Sequence, residues 1–154
     1  MKKHEKSEAS DAFESSIRLL AEFRYTLREF LHFSEEAATR VGLRPQQHQL
    51  LLQVAGAPQS EAVTIAYIAE RLRLRHHSVA ELVTRSEREG LLVRTVDTVD
   101  RRRAVLRVTQ KGKLALGRLA GDHARELKEM APRLAKALKR VETFTQTTAD
   151  SKAR

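Results

Sequence analysis

The chain has 154 residues, of which 41% are hydrophobic and 32% charged. This composition suits one globular domain with extended arms. No apolar run approaches the ~20 residues that span a bilayer, and the first residues lack the apolar stretch of a secretory signal. We therefore expect a cytoplasmic protein without membrane association. The absence of cysteine excludes disulfides, thiolate catalysis, thiol redox sensing and cysteine-ligated zinc.

The net charge of +9 is concentrated in one part of the sequence. Residues 64–113 contain 12 Lys/Arg against 6 Asp/Glu, which accounts for two thirds of the excess. A local cationic surplus suits a polyanionic partner, because each neutralised phosphate releases condensed counterions. An ordinary solvated surface could carry the same excess of charge. The order of the predicted helices and strands is therefore needed to distinguish a binding surface from a solvated one.

The first elements are helical. Residues 1–10 are polar, and we predict a disordered tail. Residues 11–44 form an N-terminal helix and connector, since apolar residues recur at spacings of three, four and seven. Pro45 fits the first turn of a second helix, where a missing N–H costs nothing. The apolar positions of the first helix are Phe13, Ile17, Leu20, Leu27 and Leu31.

Residues 45–110 predict a winged helix-turn-helix. Thr64 is a good N-cap for a third helix, and a link of three residues, 73–75, leads to a fourth helix that ends at Gly90. The apolar period then changes from 3.6 to 2, which predicts strands over 92–96 and 104–108. The charged loop between them, 97–103, completes a β-wing.

A long C-terminal segment completes the predicted fold, which is mainly α with a small antiparallel wing. Thr109 caps a helical region over 111–145, with a near-heptad apolar stripe from Leu116 to Val141. Pro132 is expected to kink this helix or divide it in two. Residues 146–154 are polar, and we predict a second disordered tail.

The sequence of these motifs resembles the MarR (multiple antibiotic resistance regulator) family. The resemblance is carried by Ile65–Leu72, His77–Arg85, Glu89–Leu92, Asp100-Arg101-Arg102, Val108-Thr109 and Lys111-Gly112. It implies a homodimer whose terminal helices interlock and whose winged domains bind a pseudo-palindromic operator in double-stranded DNA. It also implies repression that a small aromatic or phenolic effector relieves.

Two residues depart from the pattern of that family. Ser86 replaces a leucine that the family usually buries, which suggests either local looseness or a polar contact. Arg75 replaces an acidic or hydroxyl residue at the start of the fourth helix, so we expect that helix to lack an ordinary side-chain cap.

The candidate DNA contacts lie on the fourth helix and the wing. A helix fits the major groove, and side chains near its N-terminus reach base edges. Arg102 suits a narrow minor groove, Asp100 by resemblance orients it or braces the wing, and Glu81 is expected to pair with Arg85. Solvated histidines and a flexible hairpin are the alternatives. The candidates are Thr64, Arg75, His76, His77, Ser78, Arg85, Arg101, Arg102 and Arg103.

The resemblance also implies a ligand pocket between the first two helices, the DNA-binding domain and the arm of the partner. Candidate lining residues are Tyr25, Arg28, His32 and His48, and Arg28 suits a carboxylate. Interfacial packing and surface charge are the alternatives for Tyr25 and Arg28. No histidine pairing or acidic cluster marks a metal site, although His32, His48 and His123 meet if their helices converge. We expect neither metal nor cofactor.

These observations predict a sequence-specific DNA-binding regulator. An enzyme is not expected, since there is no Gly-rich phosphate loop and no pocket-like pattern of paired carboxylates. The alternatives are a winged-helix protein-interaction module, a non-specific DNA-architectural module and a double-stranded RNA binder. An interaction module has no need for the three consecutive arginines of the wing.

Overall fold

The computed structural model describes residues 2–97 and 99–152, with side chains described for 13–97 and 99–141. Met1, Ala153 and Arg154, at the ends of the two predicted tails, and Thr98 of the wing loop lie outside the described residues. The chain forms two compact units. One, here the winged unit, is Ser34–His123, and the other, here the arm unit, combines Met1–Phe33 with Ala124–Arg154. The winged unit thus extends beyond residues 45–110 into the adjoining helices.

The two long helices are α1, Lys2–Arg40, and α5, Gln110–Lys152. Both extend through the polar segments 2–10 and 146–152, for which we predicted disordered tails. Extending an existing helix adds one hydrogen bond per residue and avoids the cost of nucleation. Helix α5 also continues through Pro132 as one element. It is not divided, because proline removes only one bond of the helical ladder while the flanking turns keep theirs.

Within the arm unit, the apolar stripe of the sequence is largely exposed to solvent in the single chain. Phe13 is 65% exposed, and Ile17, Leu20 and Leu31 are close to half exposed. The two helices are connected there by an ion pair in which Arg133 Nη2 lies 2.6 Å from Glu29 Oε2. The arm unit therefore presents more apolar surface than a helix that faces only water usually carries.

Three short helices lie wholly within the winged unit: α2 at Pro45–Ala55, α3 at Ile65–Leu72 and α4 at His76–Arg88. Pro45 occupies the start of α2, and Thr64 Oγ1 accepts a hydrogen bond from Tyr67 N as the N-cap of α3. Helix α4 ends in a left-handed turn at Gly90 (φ +71°), which a side chain would strain. These starts and stops agree with the sequence.

The wing is a two-stranded antiparallel sheet of β1, Leu92–Val96, and β2, Ala104–Val108. The register pairs Leu92 with Val108 and Val96 with Ala104, so both strands have the predicted bounds. The other edge of β2 is also held, because Leu106 N donates to Val63 O at 2.8 Å. The segment before α3 therefore anchors the wing to the helices.

The core of the winged unit is aliphatic. Ser86 is fully buried within it, and its hydroxyl donates to Leu82 O at 2.8 Å. The polar contact suggested for this departure is therefore present, and it is made to the preceding turn of the same helix. The large aliphatic side chains of this unit with almost no exposure are Leu50, Leu51, Ile68, Val79, Val83, Leu92 and Leu119.

Among the described residues, no helix has a stretch both long and apolar enough to cross a membrane.

Candidate nucleic-acid interface

The turn between α3 and α4 sets the direction of α4. Arg73 adopts a left-handed conformation (φ 54°, ψ 39°), and its N–H and that of Leu74 donate to Glu70 O and Ala69 O. This closes α3 as a glycine usually does, although arginine carries a Cβ that the conformation disfavours. Two residues later, Arg75 is extended and α4 begins.

One face of α4 is buried and the other is exposed. Val79, Leu82 and Val83 pack into the core, which turns the opposite face of the helix outward. Arg75 makes no side-chain cap bond, as predicted, so the first N–H groups of α4 are available to an anion. Of the candidates predicted on this helix, Arg75, His76, His77 and Arg85 are exposed, while Ser78 is half-buried.

One prediction for this face was wrong. In the described part of the chain, Glu81 forms no ion pair with Arg85, although the two residues are one helical turn apart. Exposed pairs of this kind gain only a few tenths of a kcal/mol, so side-chain entropy readily outweighs them. The guanidinium of Arg85 is therefore not neutralised by Glu81.

The wing loop is organised by two aspartates. Asp100 Oδ1 accepts from the backbone N–H of Arg102 at 3.0 Å and lies 3.4 Å from its Nε. Asp97 Oδ1 accepts from Val99 N at 2.9 Å, and its Oδ2 lies 4.0 Å from Arg103 Nε. The bond from Arg102 N to Asp100 holds the backbone of the loop at this position. The side chain of Arg102 remains 93% exposed, and Arg101 is also exposed.

A contact that sequence reasoning missed joins the wing to α4. The carboxylate of Glu87 accepts from Arg94 N at 3.0 Å and lies 2.7 Å from Arg94 Nη1. Arg94 Nη2 donates to Thr84 Oγ1 at 3.2 Å. We call this set of bonds the α4–β1 clasp. The acidic and basic residue types were visible in the sequence, but their partnership crosses from a helix to a strand and has no fixed spacing.

The ligand-pocket candidates are divided between the two units. Tyr25, Arg28 and His32 are exposed on α1 in the arm unit. His48 lies in the winged unit with 1% of its surface exposed, and its ring centroid is 5.0 Å from that of His123. No group of three or more metal-ligating side chains occurs among the residues that the structure describes.

His48, which is buried, and His123, which is half-buried, form a polar pair. His123 Nδ1 is 2.8 Å from Leu119 O, and its Nε2 is 2.9 Å from the hydroxyl oxygen of Ser34. Burial lowers the pKa of His48 from 6.5 to about 4, with a smaller contribution from the charge that His123 can carry. His48 is therefore neutral in the folded protein near pH 7.

The family model and several similar solved structures carry the same family description. Residues 41–103 match the model of the MarR family. The chain is 28% identical over 116 residues to a Thauera aromatica protein named as a transcriptional regulatory protein for the hcr operon; the match covers 74% of this chain and 67% of that one.

Solved structures share the fold. A MarR family protein from Bacillus stearothermophilus has a TM-score of 0.66 at 18% identity, over 92% of this chain and 97% of that one. MepR of S. aureus, solved with DNA, has a TM-score of 0.58 at 23% identity, over 85% of this chain and 92% of that one. Helices α3 and α4 and the loop of the wing lie within the matched residues, so it is over this segment, 41–103, that the chain is similar to the MarR family.

Proposed function

We propose that this protein is a homodimeric transcriptional repressor that binds a pseudo-palindromic operator, with α4 in the major groove and Arg102 in the minor groove. The observation that carries the proposal is the pairing of an exposed, uncapped start of α4 with a wing whose arginine is braced but solvent-exposed. Helix termini and arginines of this kind bind phosphates and narrow minor grooves.

Similar proteins support this proposal. The relative in Thauera aromatica is named as a regulator of an operon, and MepR was solved in complex with DNA. The sequence of this chain matches the family over the segment that forms α2 to the wing loop. We therefore assign double-stranded DNA as the partner and the cytoplasm as the site of action.

The homodimer is inferred from the arm unit. Its exposed apolar residues recur at helical spacing along α1, and Leu127 and Leu138 of α5 are 45% and 50% exposed. A continuous apolar stripe of this length is buried in stable proteins, and a second copy offers the same stripe in a symmetric interface. Sedimentation equilibrium tests this: a dimer supports the proposal, and a monomer at micromolar concentration contradicts it.

We also propose that a small ligand relieves repression, and the spacing that two winged units must keep explains how it would act. The two copies of α4 in a dimer fit into successive major grooves only when they lie about 34 Å apart. A ligand that binds more tightly to a dimer with a different spacing lowers the affinity of the protein for DNA. The size of this effect is limited by how much more tightly the ligand binds to that conformation. Of the predicted pocket residues, the exposed ones, Tyr25, Arg28 and His32, are those proposed to contact such a ligand.

A titration of the protein with duplex DNA from its own upstream region tests the function. We expect tight binding that weakens steeply with salt, together with at least hundredfold discrimination against a scrambled duplex. Equal affinity for both duplexes favours the non-specific architectural alternative. No binding to either favours a protein-interaction module.

A further inference from the structure

The α4–β1 clasp is a stronger connection than most surface ion pairs. A single carboxylate, that of Glu87, binds both the main chain and the side chain of Arg94. The same guanidinium also reaches Thr84, whose hydroxyl in turn donates to Ala80 O at 2.9 Å. Charge-assisted bonds that share one donor group fix its orientation as well as its distance. Three contacts therefore define how β1 lies against α4.

The charge of Arg94 is already compensated within the protein. Its side chain is 35% exposed and lies 2.7 Å from a carboxylate, whereas that of Arg102 is 93% exposed. A phosphate that approached Arg94 would meet the negative charge of Glu87 as well. Arg94 is therefore poorly suited to bind the DNA backbone, despite its place in the most basic part of the chain.

The position of the clasp gives it a mechanical role. β1 follows α4 after only three residues, 89–91, and leads into the wing loop directly after Val96. The orientation of β1 thus determines where Arg102 lies relative to the exposed face of α4. Because α4 and the wing are proposed to occupy different grooves, a change in their angle prevents both from fitting at once.

We propose that Arg94 is a positioning residue for DNA binding, which holds the wing at the angle to α4 that the two grooves require, without contacting DNA itself. This inference rests on the proposed function and adds to it a residue that sets the geometry. Thr84 and Glu87 are the groups through which Arg94 acts.

The test compares Arg94→Lys, Arg94→Gln and the matched control Arg107→Gln in the full-length protein. Lysine keeps the charge but lacks the planar group that reaches Glu87 and Thr84 together. Arg107, on β2, is exposed, and no ion pair of it is found in the described part of the chain. For each variant, the affinity for the upstream duplex is measured over a range of salt concentrations, and stability is measured by urea unfolding.

If Arg94 is a positioning residue, both Arg94 variants bind about tenfold more weakly than the wild type. The slope of log K against log salt is then unchanged, because no phosphate contact is lost. Arg107→Gln stays within about twofold of the wild-type affinity. The affinity lost in Arg94→Lys is also larger than the fraction of unfolded variant would cause. This comparison distinguishes a positioning role from a general effect on stability.

Three results would overturn the inference. Near wild-type binding by Arg94→Lys, with a slope reduced by about 0.9 in Arg94→Gln, would show a direct phosphate contact. Wild-type binding by both variants would show that the clasp does not set the angle. An affinity loss accounted for by unfolding would show a purely structural role. A wild-type protein that does not bind DNA contradicts the proposed function itself. The affinity of the wild type is therefore measured before that of the variants.

Discussion

Gly112, in the first turn of α5, lies against the main-chain carbonyl of Leu91, immediately before β1. A Cβ atom at this position would overlap that carbonyl oxygen and approach Val108 Cγ1 to 2.6 Å. The close approach lets Thr109 cap α5 while its hydroxyl donates to Gly90 O at 2.6 Å. The glycine is therefore required by the packing of α5 on the wing.

Replacing Gly112 with alanine is expected to destabilise the protein by about 2 to 3 kcal/mol, because the obstructing atoms are backbone and a branched side chain that cannot move away. Urea unfolding at fixed protein concentration measures the change. Gly117→Ala is the control, since a Cβ there meets nothing within 4 Å and alanine favours a helix. Equal stability of the two variants would contradict this packing.

His48 makes stability depend on pH. In the unfolded chain its pKa is near 6.5, whereas burial lowers the pKa in the folded protein to about 4. Between these two pH values the unfolded state therefore binds more protons than the folded state. The contribution of neutral His48 to stability is fully present above about pH 6.5 and is lost as the pH falls towards 4. The fall attributable to this residue is about 3 kcal/mol.

The measurement is urea unfolding at pH values from 4 to 7.5 for the wild type and His48→Gln. The variant, which has no imidazole to protonate, should lose less stability over this interval. His77→Gln, with its exposed side chain, controls for removal of a histidine. Parallel pH profiles for the wild type and His48→Gln would contradict the assignment.

Arg73 stores backbone strain in the turn before α4. Its left-handed conformation (φ 54°) is unfavourable for a residue with a Cβ, so Arg73→Gly is expected to raise the free energy of unfolding by about 1 kcal/mol. Arg73→Ala removes the same charge but keeps the Cβ, and it should give no such gain. A gain of equal size in both variants would attribute the effect to charge instead of strain.

Arg102 is expected to matter for DNA and not for folding. Because its side chain is 93% exposed, Arg102→Ala should leave the Tm within about 1 °C of the wild type. It should weaken operator binding about tenfold and lower the salt slope by about 0.9. Arg118→Ala, an exposed residue of α5, is the matched loss of charge. Unchanged affinity in Arg102→Ala would remove the wing from the mechanism.

The sequence predicted most of the winged unit because its signals are local. Thr64, Pro45 and Gly90 mark helix ends through their own capping chemistry, and the change of period placed both strands with their correct bounds. The bond from Arg102 N to Asp100 is equally local, because an aspartate in a turn accepts readily from the backbone N–H two residues on.

Contacts between elements were harder to predict than the elements themselves. The bond between Glu87 and Arg94 joins a helix to a strand, and no spacing rule reveals it. From the sequence, we expect His48 and His123 to meet only if their helices converge, because spacing along the chain does not say which helices pack together.

Hydroxyl-radical footprinting of the full-length protein on its own upstream DNA tests most directly whether two winged units read one operator. We expect protected segments related by a pseudo-dyad and centred about 10 bp apart. We also expect Arg102→Ala to lose the protection of the flanking minor grooves while the central pattern remains. Uniform protection of every sequence, or a single unpaired footprint, would contradict the binding of two winged units to one operator.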